Sequence, residues 1–294
     1  MVTIKRLSEC SLQEAVLAWN RGFTYYFADV QMTIDHFLKR LVQEELSPDL
    51  SIIAFDGEEP IGIILSGIRE INGRKMAWNG GTGVAPTYRG KGIGKELLKE
   101  VLAIYREEGV DISTLEAIDE NEHAIHLYEK FGYVVEDRLL LLVQEGSMDA
   151  TRFGNHQSGY TYTKILPQEL PNLSIYKNMK GWQTQFNSVK EGEVLIAADQ
   201  NTEVGYALYK RHFNTEGKHV STTLYQCEVG ENRHDHDDIT ASLLTQIYAP
   251  LEQNIKRNTM NLSATNQSAV SLLYKAGFKK HIEQVWMKKI MASE

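Results

Sequence analysis

The chain has 294 residues, of which 42% are apolar and 24% charged, and its formal net charge is −8. This length fits about two domains, and the composition is that of an ordinary globular protein. The negative charge argues against nucleic acid or an anionic membrane as the main partner, because both attract basic surfaces.

The first part of the chain alternates helix-like and strand-like patterns. Apolar residues at helical spacing predict helices over 12–23, 33–45, 95–107 and 122–130. Extended apolar runs, two of them bounded by the turn signals D-G and N-G, predict strands over 3–6, 51–55, 60–68, 75–84, 112–117 and 133–143. A polar, glycine-containing segment, 146–159, follows and predicts a linker between two domains, 1–145 and 160–294.

The second part restarts the same order of elements. Strands are predicted over 160–165, 194–198, 204–210, 220–228, 259–263 and 278–288. Helical segments are predicted over 170–176, 182–188, 267–276 and 239–256, the last interrupted by Pro250. The expected fold class is therefore α/β, with mixed sheets in both domains.

One segment recurs residue by residue. N-E-H-A-I-H-L-Y-E-K-F-G-Y (121–133) lies over N-Q-S-A-V-S-L-L-Y-K-A-G-F (266–278) without a gap, at an offset of 145. The match includes the asparagine that starts each helix and the glycine that follows it. This predicts a structural duplication. The alternative is two unrelated strand–helix–strand units that share ordinary cap and core residues.

A glycine-rich loop precedes the predicted helix 95–107. V-A-P-T-Y-R-G-K-G-I-G (84–94) has glycine at alternate positions, Gly90, Gly92 and Gly94. Such glycines let backbone N–H groups converge without side chains in the way, and a helix start adds free donors, so the expected occupant is a phosphate. Arg89 and Lys91 are expected to add two cations at the rim. The segment matches neither the Walker A loop nor the Rossmann fingerprint, and a tight structural turn is the alternative.

The motifs V-A-P-x-Y-R-G-K-G-I-G-K-x-L-L and N-x-x-A-x-x-L-Y-x-x-x-G-Y together resemble the GNAT superfamily of N-acetyltransferases. The resemblance covers 1–145, whereas the second half is similar to the family only in its element order and last helix. It implies a twisted mixed sheet that opens between its fourth and fifth strands. It also implies two GNAT-like acyl-CoA N-acyltransferase domains in tandem, with a degenerate C-terminal copy.

The resemblance also implies acetyl-CoA as co-substrate. Its pantetheine arm would pair with the strand edge at 83–85, and backbone N–H groups of 89–94 would hold its pyrophosphate. The cofactor-binding residues implied on this sequence are Gly83, Val84, Ala85, Arg89, Gly90, Lys91, Gly92, Ile93, Gly94, Lys95, Asn121 and Tyr128.

Two residues are expected to act in catalysis. The backbone N–H of Val84 or Ala85 would stabilise the oxyanion, and the phenol of Tyr128 would protonate the departing thiolate, as the resemblance implies. The alternative for Tyr128 is a tyrosine packed in the core. No carboxylate on the strand before the loop is an obvious general base. Glu70 and Glu116 are weak candidates, and water could serve instead.

An aromatic segment follows the predicted first helix, where the resemblance places substrate selection. F-T-Y-Y-F (23–27) could form the wall of an acceptor pocket, with an aspartate meeting an ammonium group. Packing of a helix end into the core is the alternative. The candidate substrate-binding residues are Phe23, Tyr25, Tyr26, Phe27 and Asp29.

The corresponding features differ in the second half. The loop positions fall in N-R-H-D-H-D-D (232–238), which contains no glycine, and Leu273 replaces the tyrosine. No second CoA site is expected there. The histidines and aspartates match no dedicated metal site, so a polar loop at the helix start is expected and no metal.

The sequence thus predicts an N-acetyltransferase, an acyltransferase that moves an acetyl group from acetyl-CoA to a primary amine by direct attack in a ternary complex. The alternatives are a CoA-binding or sensing protein without catalysis, another acyl-CoA, or a hydroxyl acceptor. The expected partner is a small-molecule or peptide amine, and a second copy of the chain, forming a homodimer, is a further candidate. No nucleic acid and no membrane partner is expected.

The compartment is predicted from the cysteines and the apolar runs. Cys10 and Cys227 are far apart and match no metal spacing, which indicates free thiols in a reducing compartment. The start of the chain lacks the apolar core of a signal peptide, and no apolar run approaches the ~20 residues of a spanning helix. A cytoplasmic protein is therefore expected.

Overall fold

A computed structural model describes residues 2–149, 151–154, 159–177 and 181–291. The α-helices are α1 (Leu12–Gly22), α2 (Ile34–Gln43), α3 (Ile93–Glu107), α4 (Glu122–Lys130), α5 (His236–Tyr248) and α6 (Gln267–Lys275). The strands are β1 (Val2–Arg6), β2 (Ile52–Asp56), β3 (Glu59–Ile71), β4 (Arg74–Val84), β5 (Ile112–Ile118), β6 (Val134–Gln144), β7 (Thr161–Ile165), β8 (Glu193–Asp199), β9 (Thr202–Phe213), β10 (His219–Val229), β11 (Lys256–Thr259), β12 (Leu262–Ser263) and β13 (Lys279–Ile290).

The chain forms two compact units whose boundaries do not follow chain order. The first unit is Met1–Glu136 together with Val285–Glu294, and the second is Asp137–Gln284. Most of β6 therefore belongs to the second unit, and the end of β13 belongs to the first. The boundaries expected from sequence place all of β6 in the first domain and all of β13 in the second. Part of the segment expected to be a linker, 150 and 155–158, lies outside the described residues.

The sheet of the first unit has the strand order β1-β2-β3-β4-β5-β13. Strands β1 to β4 are antiparallel neighbours, and Asn72 and Gly73 have the positive φ values, 52° and 71°, that a tight hairpin turn needs. Strand β5 pairs in parallel with β4 only from Met76 to Asn79. Beyond Asn79 the two strands separate, and the edge of β4 faces an open cleft.

The core of the first unit is built on one face of α3. Leu97, Leu98 and Val101 are fully buried, and their helical spacing is why this segment forms an amphipathic helix over the sheet. The same core contains Val285 and Met287 from the end of β13. Residues close to the C-terminus of the chain therefore complete the core of the N-terminal unit.

The second unit has the same plan. Its strand order is β6-β11-β10-β9-β8-β7, with β12 also paired to β6. Strands β10 and β11 pair in parallel over Ser221–Leu224 only, so β10 also continues past its neighbour. Helix α5 covers the sheet with the buried side chains Ile239, Leu243, Leu244 and Ile247.

Cap residues of the duplicated segment confirm the repeat. Asn121 and Asn266 each accept a hydrogen bond from the backbone N–H three residues on, at 3.3 and 3.2 Å. Gly132 and Gly277 follow the two helices with φ values of 85° and 95°, the left-handed conformation that favours glycine. The corresponding helices α4 and α6 thus begin and end in the same way in both units, as the predicted duplication requires.

Some predicted helices are shorter in the structure. In place of the helices predicted over 170–176 and 182–188, the structure has short 3₁₀ helices at Pro167–Asn172 and Trp182–Thr184. Helix α5 ends at Tyr248 instead of 256, because Pro250 cannot continue the helix and restricts the residue before it. Within the described part of the chain, no helix is both long and apolar enough to cross a membrane.

Candidate active site

The glycine-rich loop of the first unit leaves backbone donors free. Gly90 and Gly92 have φ values of 75° and 87°, and Gly92 is the N-cap of α3. The first hydrogen bond of the helix runs from the Glu96 N–H to the Gly92 carbonyl at 3.1 Å. The N–H groups of 93–95 therefore have no partner within the helix, and the positive end of the helix dipole lies at the same place. This is the local geometry of a phosphate site.

The edge of β4 presents one candidate oxyanion donor. The Ala85 N–H donates to the Ile61 carbonyl at 2.8 Å and is therefore taken. In an antiparallel pair successive residues point their N–H groups to opposite edges, so the Val84 N–H faces the side where β5 has separated. Of the two donors expected from the sequence, only that of Val84 is directed at the cleft.

The guanidinium of Arg89, expected as a cation at the rim of the loop, is engaged by three backbone carbonyls. Its Nε donates to the Val84 carbonyl at 2.9 Å, and its Nη2 donates to the carbonyls of Gly22 and Thr24 at 3.1 and 2.7 Å. The guanidinium thus ties the phosphate loop to the end of α1. Lys91 lies with its Nζ 5.4 Å from the centre of the Tyr88 ring.

The loop, the β4 edge and α4 enclose a cleft of about 1090 Å³. Its described lining contains five basic or imidazole side chains and no aspartate or glutamate. An anionic ligand is therefore favoured in this cleft although the chain as a whole is acidic. The five side chains are Arg89, Lys95, His123, His126 and Lys130.

Tyr128 lies on α4 with its side chain 6% exposed. Burial raises the pKa of its phenol to about 12, an effect that a hydrogen bond with Thr82 partly offsets. The phenol therefore stays protonated at neutral pH and can donate a proton. Thr82 also lines the cleft, and its hydroxyl accepts a hydrogen bond from the Asn79 amide at 2.9 Å.

The aromatic segment after α1 forms part of the cleft wall. Phe23 packs on Trp19 with ring centres 4.2 Å apart, and Tyr26 meets Phe23 edge-on at 5.0 Å. Phe27 is half exposed and Tyr25 is 89% exposed. Tyr25 also has a φ of 58°, which is uncommon for a bulky residue. All four rings line the cleft, and Phe23 is also buried against Trp19.

Most of the predicted site residues meet at this cleft, and four do not line it. Gly83, Ala85, Lys91 and Asp29 are absent from its described lining. Asp29 accepts a hydrogen bond from the Gln31 N–H at 3.1 Å. The predicted residues that line the cleft are Phe23, Tyr25, Tyr26, Phe27, Val84, Arg89, Gly90, Gly92, Ile93, Gly94, Lys95, Asn121 and Tyr128.

Residues of α4 and Thr82 are lining residues that the sequence did not predict. His123, His126, Leu127 and Lys130 lie within one or two turns of Asn121 and Tyr128, and this helical spacing could have indicated them. Of the two candidate bases, Glu116 accepts a hydrogen bond from Trp78 Nε1 at 2.5 Å, and Glu70 lies opposite Lys75 at the far end of β3. Neither carboxylate is part of the described lining.

The corresponding helix of the second unit begins with a different residue. The N-cap of α5 is Asp235, whose carboxylate is held by Arg233 at 2.6 and 2.7 Å and by the Tyr160 hydroxyl at 2.7 Å. Seven residues separate Val84 from Gly92, but only five separate Val229 from Asp235. The loop is therefore shorter, and Asp235 takes the place of Gly92 as the N-cap residue. No potential metal-binding group of three acidic, histidine or cysteine side chains occurs in the described residues.

Sequence comparison identifies relatives of the first unit. Residues 13–133 match the family described as "Acetyltransferase (GNAT) family". A mycothiol acetyltransferase of Propionibacterium freudenreichii is 27% identical over 125 residues, which are 42% of this chain and 40% of the relative. An acetyltransferase of Sodalis glossinidius is 28% identical over 131 residues, 44% of this chain and 85% of the relative. The chain therefore matches less than half of the mycothiol acetyltransferase.

Solved structures match both units together. A tandem GNAT protein from the clavulanic acid biosynthesis pathway aligns over 100% of both chains with a TM-score of 0.64 and 12% identity. A GCN5-related glucosamine N-acetyltransferase region of a fungal multi-domain enzyme aligns over 98% of this chain and 38% of its own, with a TM-score of 0.71 and 16% identity. At these identities the likeness is one of fold.

Proposed function

We propose that this protein transfers the acetyl group of acetyl-CoA to a primary amine. The proposal starts from the match of residues 13–133 to the GNAT acetyltransferase family and from the tandem GNAT fold of the chain. The observation that carries the proposal is the opening of α3 into the cleft. Free N–H groups follow the left-handed Gly92, and Tyr128 lies on the cleft wall. A phosphate-bearing acyl donor and an acid for its leaving group thus meet in one place.

The first step is binding of the donor. The N–H groups at the start of α3 hold the pyrophosphate, and the basic side chains of the lining offset its charge. The free edge of β4 pairs with the amides of the pantetheine arm in the way that an added strand would. Together these contacts place the thioester next to Val84.

The second step is attack by the amine. An alkyl ammonium with a pKa of about 10.4 is neutral in roughly one molecule per 2,500 at pH 7, so it must lose a proton first. The described lining contains no carboxylate, and we therefore assign this proton to water in the cleft. The Val84 N–H stabilises the oxyanion that forms when the amine adds to the thioester carbonyl. Tyr128 then donates its proton to the sulfur as the C–S bond breaks, and the second proton of the attacking nitrogen passes through water to restore the phenol.

Tyr128 is also the reason to prefer chemistry over a CoA-sensing role. A protein that only binds CoA needs the phosphate loop but not a buried phenol at the thioester. Burial keeps the pKa of this phenol near 12, so it remains protonated until the thiolate appears. A phenol facing a bound thioester is suited to general acid catalysis.

Calorimetric titration of acetyl-CoA into the full chain tests the proposal. One site per chain is expected. Release of free CoA thiol should then follow addition of a primary amine, and blocked N-acetyl forms of the same amines should release none. Absence of acetyl-CoA binding would remove the assignment. Two sites per chain would show that the second unit also binds the donor.

A further inference from the structure

The second unit contains a cleft of its own, which the proposed acetyl transfer does not use. It has a volume of about 490 Å³ and lies between the end of β10 and the start of α6. This is the place that the acyl-donor cleft occupies in the first unit. A volume of this size falls in the ~300–1,000 Å³ range of small-molecule sites. Its lining residues Asp137, Glu228, Asn261, Ser263 and Asn266 define what we call the second-unit cleft.

The chemistry of the second-unit cleft is unsuited to acyl-CoA. The Asn266 amide donates to the Cys227 carbonyl at 2.8 Å and to Glu228 at 3.1 Å, so an edge carbonyl of β10 is already taken. The nearby start of α5 carries Asp237 and Asp238. These carboxylates occupy the position where a pyrophosphate would need free N–H groups and would repel it. A ligand of the second-unit cleft is therefore free of phosphate.

The second-unit cleft has among its lining residues a buried hydrogen-bond acceptor without a partner. Asn261 is 3% exposed, and its Oδ1 has no hydrogen-bond partner among the described residues. A buried acceptor without a partner costs about 1–3 kcal/mol, so a native structure that keeps one needs a reason for it. A ligand with N–H groups would supply the missing donor.

Its charge points to the same class of ligand. Glu228 is largely buried and has a pKa raised by burial, and Lys177 Nζ lies 3.5 Å from its carboxylate. Asp137 is 6% exposed and accepts from the Ser263 hydroxyl at 2.7 Å. Within the described lining, two carboxylates thus face one lysine and His236. A cationic group on the ligand would balance the negative charge of these carboxylates.

We propose that the second-unit cleft binds a small, phosphate-free primary amine through Glu228 and Asn261. The ammonium group pairs with the Glu228 carboxylate and donates to the Asn261 Oδ1. This site does not depend on acetyl transfer in the first unit. The two units would then divide recognition between them, one for an anionic acyl donor and one for a cationic amine.

Titration of the full chain with ethanolamine, glucosamine and spermidine tests this proposal, with their N-acetylated forms as matched ligands. At least one free amine should bind, and its N-acetylated form should not. In Glu228→Gln the affinity of that amine should fall about tenfold, equivalent to ~1.4 kcal/mol, whereas the exposed Glu231→Gln should bind as the original chain does. These titrations omit acetyl-CoA, so failure of the acetyltransferase assignment would leave them interpretable.

A second variant guards against misfolding of Glu228→Gln. Asn261 has a φ of 48°, a conformation that aspartate also adopts, so Asn261→Asp adds a carboxylate without backbone strain and should bind the amine more tightly, with thermal melting as the check that the chain is folded. The proposal is overturned if none of the three amines binds, if the N-acetylated forms bind equally, or if both variants bind as the original chain does.

Discussion

Helices α3 and α5 occupy the same place in their units, after the fourth strand of each sheet, but they begin differently. Gly92 at the start of α3 has no side chain, and the N–H groups after it are open to the cleft. Asp235 at the start of α5 carries a carboxylate clamped by Arg233, with two further aspartates in the first turn. One helix start attracts an anion, and the other already supplies its own negative charge.

Helices α4 and α6, in contrast, begin with the same cap residue and differ at one buried position. Asn121 and Asn266 cap α4 and α6 in the same way. Tyr128, however, corresponds to Leu273, and both side chains are buried. Residues that build the repeat are therefore kept, while those to which we assign donor binding and proton donation occur in one unit only. Duplication of a fold does not require duplication of its chemistry.

The largest expected effect comes from removing the phenol of Tyr128, a position at which the second unit has Leu273. Tyr128→Phe should lower kcat by about 10²–10⁴, the usual contribution of a positioned general acid, without changing the Kd of acetyl-CoA. Steady-state kinetics and calorimetry measure the two quantities. Leu273→Met at the corresponding position should leave both as they are. An unchanged kcat in Tyr128→Phe would instead favour a CoA-binding protein without catalysis.

The pH profile of the same enzyme sharpens this assignment. Because burial raises the pKa of Tyr128 to about 12, the phenol keeps its proton as pH rises through 10. We therefore expect no alkaline fall in kcat between pH 7 and pH 10 from loss of the acid. A fall in kcat with an apparent pKa near 8 that is absent in Tyr128→Phe would contradict the raised pKa.

The second-largest effect tests whether the units are divided as the structure indicates. Met287 is fully buried in the core of the first unit, although it lies near the C-terminus of the chain. Met287→Ala should lower the free energy of unfolding of that unit by about 2–5 kcal/mol. The matched Ile290→Ala, at a side chain that is 60% exposed, should change it by less than about 0.5 kcal/mol.

Calorimetric melting with and without acetyl-CoA identifies the unit concerned. A ligand stabilises the unit that binds it, so acetyl-CoA should raise the Tm of the first unit. Met287→Ala should lower this same transition. If it lowers only a transition that acetyl-CoA does not shift, the C-terminal segment belongs to the other unit.

The next effect comes from a substitution at Gly92 and concerns only the binding of acetyl-CoA. Gly92→Asp places a side chain on a residue with a φ of 87° and a carboxylate where the pyrophosphate binds, so acetyl-CoA affinity should fall about 10- to 100-fold. Gly109→Asp is the matched control, because Gly109 has a φ of 66° at the other end of the same helix. An equal loss of affinity in both variants would mean that helix strain, and not the phosphate site, is responsible.

Local signals in the sequence were sufficient for much of this site. Alternate glycines before an amphipathic segment predict a helix start with free donors, and Asn121 followed by Gly132 predicts both ends of α4, because each feature depends on neighbouring residues only. The prediction of a tandem GNAT fold is confirmed by the fold comparison, whereas the changed second copy stays a prediction.

Features that depend on distant partners were not predictable in this way. The apolar pattern of 278–288 indicates a strand, but it does not indicate that Met287 joins the core of the first unit. The same holds for Arg89, whose position in the loop indicates a cation for phosphate. Its side chain instead reaches three carbonyls, two of them near the end of α1, and only the folded chain brings these together.

The smallest expected effect comes from the contacts of Arg89. Changing them distinguishes the contribution of the phosphate loop from that of the aromatic wall of the cleft. Arg89 joins the phosphate loop to the Gly22 and Thr24 carbonyls, from which the aromatic acceptor wall continues. Arg89→Lys keeps the charge but cannot make the three bonds, so the KM of the amine should rise about 3- to 10-fold. The Kd of acetyl-CoA should change less, because backbone N–H groups hold its phosphates. Arg21→Gln, which removes an ion pair between α1 and Glu59 of β3, should change neither. A larger effect on acetyl-CoA than on the amine would mean that Arg89 binds the donor directly and does not position the acceptor wall.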